Sequence, residues 1–245
     1  MKLVITFHSK NRDIGSRECL IWDLLYSYYY SGQISYNSGQ LFIIDNNTIE
    51  IIAHIFHQDA INSMYDTIYV RQDKEKIMSN NISLSFDTIT TKDTYTDISL
   101  INRQDIILHY EQTGSISPIN VFQNNQIHEF PLYKLPYLKN SYSHWNLIDW
   151  CRDYTAFQRL SYNGVNDDYF EYELFSPQGH IVSSGLNILK MQSELITNNI
   201  YYYLDCDNKL TLQKFYKLDS LVEYSSDPFY KFLLKDYNII IPHFE

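Results

Sequence analysis

The stretch WNLIDWCRDYTAFQRLSYNG at 145–164 decides how the chain is read, together with FEYELFSPQGHIVSSGLNILKMQSEL at 170–195 and NIYYYL at 199–204. From Trp145, apolar residues fall at Leu147, Ile148, Cys151, Tyr154, Phe157 and Leu160, the three-and-four spacing of one helix face. Asn163-Gly164 is a natural stop, because both residues tolerate positive φ. A second helix is expected to start at Ser176 as cap with Pro177 in the first helical position, where no N–H is needed. Val182, Leu186, Leu189 and Ile196 keep one of its faces apolar, while Gly179 and Gly185 weaken its propensity. Thr197-Asn198-Asn199 ends it, and Ile200 to Leu204 is β-branched and aromatic enough to be a strand.

Outward toward the N-terminus, Leu3, Ile5 and Phe7 alternate as a first strand. Ser16 reads as the cap of a helix carrying Ile21, Leu24, Leu25 and Tyr28, which ends at Ser31-Gly32. Leu41–Ile44 and Ile49–Phe56 form a hairpin across Asp45-Asn46-Asn47. The polar RQDKEKIM segment at 71–78 is a short helix, and Ile82–Phe86 alternates again. The order strand-helix-strand-strand-helix-strand predicts a ferredoxin-like α+β unit over 1–90. A loop-rich connector with one strand at Ile106–Tyr110 is expected over 91–140. Within it, 87–105 reads as linker, Gly114–Glu129 as loop, and Pro131–Pro136 as extended chain. The last part, 141–245, holds the two-helix-plus-strand unit and a tail of short strands at Leu210–Tyr216, Ser220–Tyr224 and Tyr237–Ile241.

Of 245 residues, 44% are hydrophobic and 20% charged, the composition of a globular chain. Tyrosine occurs 23 times, and codon bias in an AT-rich genome accounts for most of that. The formal net charge is −10, and no lysine or arginine run offers phosphates a basic patch. Nucleic acid is therefore an unfavoured partner, and a basic protein a better electrostatic match. Three cysteines, Cys19, Cys151 and Cys206, show no C-x2-C spacing and read as reduced thiols, Cys151 on a buried helix face. No leader pattern opens the chain, and no apolar run approaches the ~20 residues that span a bilayer. A cytoplasmic location without membrane contact is expected.

Trp150, Asp153, Tyr154, Arg159, Leu160 and Asn163 (W-x2-DY, then RL-x2-N) resemble a bacterial family of unknown function described as zinc-ribbon-containing, with a suggested nucleic-acid-binding role. Gln178-Gly179, Tyr201–Leu204, PLYKLP at 131–136 and the SGQI turn at 31–34 share the resemblance. It implies a C-terminal zinc ribbon, in which two C-x2-C pairs hold one tetrahedral zinc. The positions that match these pairs are Phe215 and Leu218, then Leu234 and Tyr237, and none is a cysteine. The resemblance therefore implies a degenerate, metal-free ribbon with a small hydrophobic core in place of the metal, and no cofactor.

Other candidate sites are weaker. His54, His57 and Asp59 form H-x2-H-x-D, but on a strand residues three apart face opposite ways, so a surface pair is expected. His144, His180 and His243 read as surface residues. There is no phosphate-cradle glycine motif, and Gly114–Pro118 lacks the second glycine of a nucleophile elbow. Arg159 reads as a structural anchor of a buried ion pair. Asp167, Asp168, Glu171 and Glu173, with Tyr169, Phe170 and Tyr172, form an NDDYFEYE loop. That loop reads equally as a solvated acidic surface or as a docking face for a basic partner. The function expected is that of a non-catalytic immunity protein that neutralises a cognate toxin effector by binding it. The alternative is a nucleic-acid- or ribosome-associated protein.

Overall fold

The computed structural model describes residues 1–10, 14–89, 104–110, 117–123, 126–138, 141, 143–163 and 167–244. The chain divides into two compact units, one built from 1–97 and 131–144, the other from 98–130 and 145–245. Most of the linker expected at 87–105, and the 114–116 part of the loop, lie outside the described residues.

In the first unit, β1 (Lys2–Ser9), α1 (Glu18–Tyr30), β2 (Ser35–Asp45), β3 (Thr48–His54), α2 (Ile68–Ser79) and β4 (Ile82–Ile89) follow one another. The sheet order is β2-β3-β1-β4 with every neighbour antiparallel, the ferredoxin-like arrangement. Leu3, Ile5 and Phe7 of β1 are fully buried beside Ile49, Ile51 and Ala53 of β3, with Ile5 opposite Ile51. Ile21, Leu24 and Tyr28 of α1 and Val70 and Ile77 of α2 complete the core. Each such side chain contributes about 1.5–3 kcal/mol through burial. Thr67 caps α2, its hydroxyl accepting from the Val70 N–H at 3.2 Å. Ser16 is not the cap expected for α1. It lies in a 3-10 turn at Ile14–Arg17, and the helix begins at Glu18 with no side-chain cap.

The two short motifs at 31–34 and 131–136 meet in this unit. Gly32 ends α1 at φ +77°, and a Cβ there would lie 2.4 Å from the Leu132 Cβ, so only glycine lets the PLYKLP segment sit on the turn. Buried Gln33 donates to the Ala60 carbonyl at 2.7 Å and accepts from the Ser31 hydroxyl at 2.7 Å. Tyr133 Oη donates to Asp59 at 2.5 Å, and Lys134 lies 3.5 Å from the same carboxylate. PLYKLP is extended at its ends, but Leu132–Lys134 make one 3-10 turn.

The second unit holds β5 (Asp105–Leu108), β6 (Ile119–Gln123), β7 (Gln126–Glu129), α3 (Trp145–Tyr162), α4 (Asp167–Phe175) and α5 (His180–Ser193). After them come β8 (Ile200–Tyr203), α6 (Lys209–Phe215), β9 (Leu221–Glu223), β10 (Phe232–Leu234) and β11 (Ile239–Ile241). The sheet runs β7-β6-β5-β8-β11-β10-β9. Its centre, β5-β8-β11, is parallel, and antiparallel strands flank it on both sides. Parallel neighbours need long crossovers, and the three helices α3, α4 and α5 supply the one from the β5 side to β8.

Four sequence expectations change here. β6 and β7 occupy part of the expected loop, because pairing of β6 with β5 and of β7 with β6 outweighs the polar composition. Asn120 donates to the His109 carbonyl at 3.0 Å inside that sheet. From Asp167 on, the acidic segment is not a loop but α4, since Phe170 and Leu174, four apart, both bury. Leu210–Tyr216 is not a strand. Asn208 caps Leu210 and Thr211 at 2.9 and 3.2 Å and starts α6. Ser176-Pro177 does not open α5 either: the Ser176 N–H closes α4 on the Tyr172 carbonyl, and Glu173 accepts from the His180 N–H at 2.5 Å.

The helices lock onto β8 through aromatic rings. Trp150 stacks on Tyr154 at 5.2 Å, meets Tyr202 edge-on at 5.9 Å, and donates from its indole to the Ile181 carbonyl at 3.0 Å. Gly185 of α5 faces the same ring, where a Cβ would lie 2.4 Å from Tyr202 Cε2. Cys151 is buried on α3 as expected, whereas Arg159 is exposed rather than the anchor of a buried pair. Among the described residues, no helix is long and apolar enough to cross a membrane.

His144 also departs from expectation. It is buried in the first unit, its ring 4.5 Å from Tyr137 and its backbone N–H donating to the Tyr30 carbonyl at 2.7 Å. Burial pushes the imidazole down from its ordinary 6.5 to about 3, against a hydrogen bond with the Leu132 backbone. The folded value is depressed, so the stabilisation is present above pH 6.5 and is lost as pH falls toward 3. The contribution at stake is on the order of 5 kcal/mol. In urea titrations across that window, His144→Phe is expected to flatten the fall in midpoint; an unchanged slope would assign it elsewhere. For the second unit, Gly185→Ala is expected to cost ~1–3 kcal/mol by overpacking Tyr202, read as a lowered midpoint.

Candidate functional site

β8 and its parallel neighbour β5 send the chain off in opposite directions. After β5 the chain turns outward to β6, and after β8 it runs to α6 and the other edge. A crevice forms beyond the carboxyl ends of strands at such a reversal, and open sheets bind ligands there. In this protein a pocket of about 110 Å³ occupies the carboxyl end of β8. Its walls come from that strand end (Tyr202 to Asp205), from the second half of α3 (Tyr154, Gln158, Tyr162) and from the last residues of α4 (Leu174, Phe175).

Tyr154, Gln158 and Tyr162 recur every four residues and so share one helix face. Gln158 Nε2 donates to Tyr154 Oη at 2.9 Å, which fixes the amide and commits that phenol as acceptor. Tyr202 is buried, yet its hydroxyl has no hydrogen-bond partner among the described residues. Burial, with the Tyr154 and Tyr216 phenols adding to it, raises the Tyr202 pKa well above the ordinary 10, so the hydroxyl stays protonated. Asp205 brings an exposed carboxylate to the rim.

The acidic segment 167–173 distributes its residues otherwise than a loop would. Glu171 receives Lys214 Nζ on both oxygens at 2.9 Å, an ion pair from α4 to α6 that holds its pKa below 4.5. Glu173 is engaged at the start of α5, and Phe170 is core, packed edge-on against Phe157 at 5.7 Å. Asp168, Tyr169 and Tyr172 remain exposed. Asp167 opens α4, and its side chain is not among those described.

Phe215 ends α6, Leu218 opens a 3-10 turn, Leu234 ends β10 fully buried, and Tyr237 closes a second 3-10 turn. Leu234 pairs with Leu221 across β9 and β10, and Tyr216 meets Tyr237 edge-on at 4.9 Å, so the two segments adjoin. Among the described residues, no three His, Cys, Asp or Glu side chains gather as metal ligands. His57 sits 3.0 Å from Asp59, which is already engaged by Tyr133 and Lys134, while His54 lies in β3.

The sequence alone marks Tyr154 and Tyr202–Leu204 only as points of resemblance. It gives no role to Gln158, Tyr162 or Asp205, although the four-residue recurrence along α3 is visible in it. Tyr202→Phe is expected to leave stability unchanged or raise it by up to ~1 kcal/mol, because it removes a buried hydroxyl without a partner. A thermal melt checks this, and a clear loss of stability would show the hydroxyl to be satisfied in solution.

Comparison with known proteins places the pocket in a shared region. Residues 101–205 match the model of a family described as "Domain of unknown function (DUF2310)". No curated protein gives a significant match. A solved structure, a candidate antibiotic biosynthesis monooxygenase from Deinococcus radiodurans, is 12% identical over 40% of this chain and 100% of its own, with a TM-score of 0.28. Every residue that lines the pocket falls inside the matched range, whereas Phe215, Leu218, Leu234 and Tyr237 lie beyond it.

Proposed function

We propose that this chain is a non-catalytic binding protein of the bacterial cytoplasm, an immunity protein that neutralises a cognate basic toxin effector by direct contact. The observation that carries the reading is a net charge of −10 combined with apolar side chains left exposed among acids. Next to the pocket, Asp205 and Asp207 border an open groove of about 740 Å³ that also displays Leu210 and Phe229, 73% and 67% exposed. Asp168, Tyr169 and Tyr172 extend the same acid-and-ring chemistry on α4. Aromatic and aliphatic anchors supply contact energy, while the acids steer a basic partner and set the encounter rate.

The C-terminal strands fit a ribbon that has shed its metal. The paired segments at 215–218 and 234–237 meet through buried Leu234 and the Tyr216–Tyr237 contact, an apolar seam where four thiolates would otherwise hold zinc.

The test is a pull-down of the tagged chain against the product of the neighbouring secreted-protein gene, with Kd and rescue of growth on co-expression. Nanomolar binding with rescue is expected. Asp168→Lys with Asp207→Lys should slow association about tenfold and reduce its salt dependence. Failure of both binding and rescue overturns the reading. Co-purification of RNA that is lost as salt rises would favour nucleic-acid or ribosome association instead.

A further inference from the structure

We propose that the pocket at the carboxyl end of β8 is a receptor for a guanidinium group, the side chain of an arginine that the partner presents. This deepens the proposed function and rests on it for the source of the arginine. The chemistry of the pocket stands independently.

Three observations converge on a planar cation. The lining is aromatic: Tyr154, Tyr162, Phe175 and Tyr202 surround the space, and ring faces attract cations through their quadrupoles. Two helices end there, since Tyr162 is the last residue of α3 and Phe175 the last of α4. Helix C-termini carry partial negative charge, so both ends favour a positive guest. The side-chain polar groups of the lining are carboxylate, hydroxyl and amide. Asp205 supplies a full negative charge, and among the described residues no lysine, arginine or histidine lines the cavity.

A guanidinium meets each of these features. It has five N–H donors and no acceptor, stacks on aromatic faces, and is more weakly hydrated than an ammonium, so entering a half-enclosed aromatic site costs it less. Size agrees as well. An apolar cavity of about 150 Å³ admits benzene, and about 110 Å³ suits the smaller guanidinium. The adjoining groove shares Asp205 with the pocket, so an arginine in the pocket would carry its own chain across Leu210 and Phe229.

The experiment needs no partner protein. The full-length chain, labelled in its tyrosine rings, is titrated at fixed ionic strength with N-acetyl-arginine methylamide, N-acetyl-lysine methylamide and tetramethylammonium chloride. The arginine compound is expected to shift ring signals saturably at millimolar concentration and to bind at least about fivefold more tightly than the other two. Asp205→Asn and Tyr162→Ala replace exposed rim residues (Tyr162 is 81% exposed), so both should fold and bind about tenfold more weakly. No saturable shift, equal responses to all three cations, a preference for tetramethylammonium, or undiminished binding by both variants overturns the proposal. The two readings fail separately. Arginine binding without any toxin partner removes the immunity function and leaves the pocket. Toxin binding that neither Asp205→Asn nor the arginine compound weakens removes the pocket and leaves the immunity function.

Discussion

Tyr202 approaches α5 as closely as it does because position 185 carries no side chain. The rest of the second unit depends on that contact. β8 is the middle strand of seven, so a ring fixed there holds the sheet to the helices at its centre. Trp150 braces the ring from α3 and, through its indole bond to Ile181, binds α3 to α5 at the same point. The cost is a phenol whose hydroxyl lacks a partner in the core. Proteins keep such local conflicts where function needs a group that stability alone would have removed.

The first unit solves a different problem, that of burying polar groups. Asp66 lies in the interior, but Lys74 meets its carboxylate at 2.6 Å and Gln33 donates to it at 3.3 Å. Ser31, Gln33 and Ala60 then link the end of α1 to the segment after β3. A buried network of this kind specifies one arrangement when every member is satisfied. It ties the SGQI turn to the segment after β3, although that motif carries no chemistry of its own.

The ferredoxin-like unit was legible because its elements are long and locally consistent. Leu3, Ile5 and Phe7 alternate and the turn between β2 and β3 is polar, whereas α2, expected at 71–78, already starts at Ile68. The second unit was less legible where elements are short and tertiary pairing decides. β6 and β7 contain Asn, Gln and His, and only pairing makes them strands, β6 on β5 and β7 on β6. α4 and α6 are nine and seven residues long, too short for periodicity to separate from chance. His144 shows the same limit in one residue, since a histidine among polar neighbours reads as surface until a distant segment covers it. The pocket was half visible: its walls come from α3, α4 and β8, and no local window contains Tyr154 and Asp205 together.

The chain enters the first unit twice, through 1–97 and again through 131–144. During synthesis, the βαββαβ order is already complete once residue 89 has left the ribosome. At that moment Gly32 has no Leu132 against it, and Asp59 has neither Tyr133 nor Lys134. The nascent unit must therefore wait, with that turn uncovered, while the first strands of the second unit are made. Its final closure comes only as 131–144 emerge, so the two units mature in interleaved steps rather than one after the other.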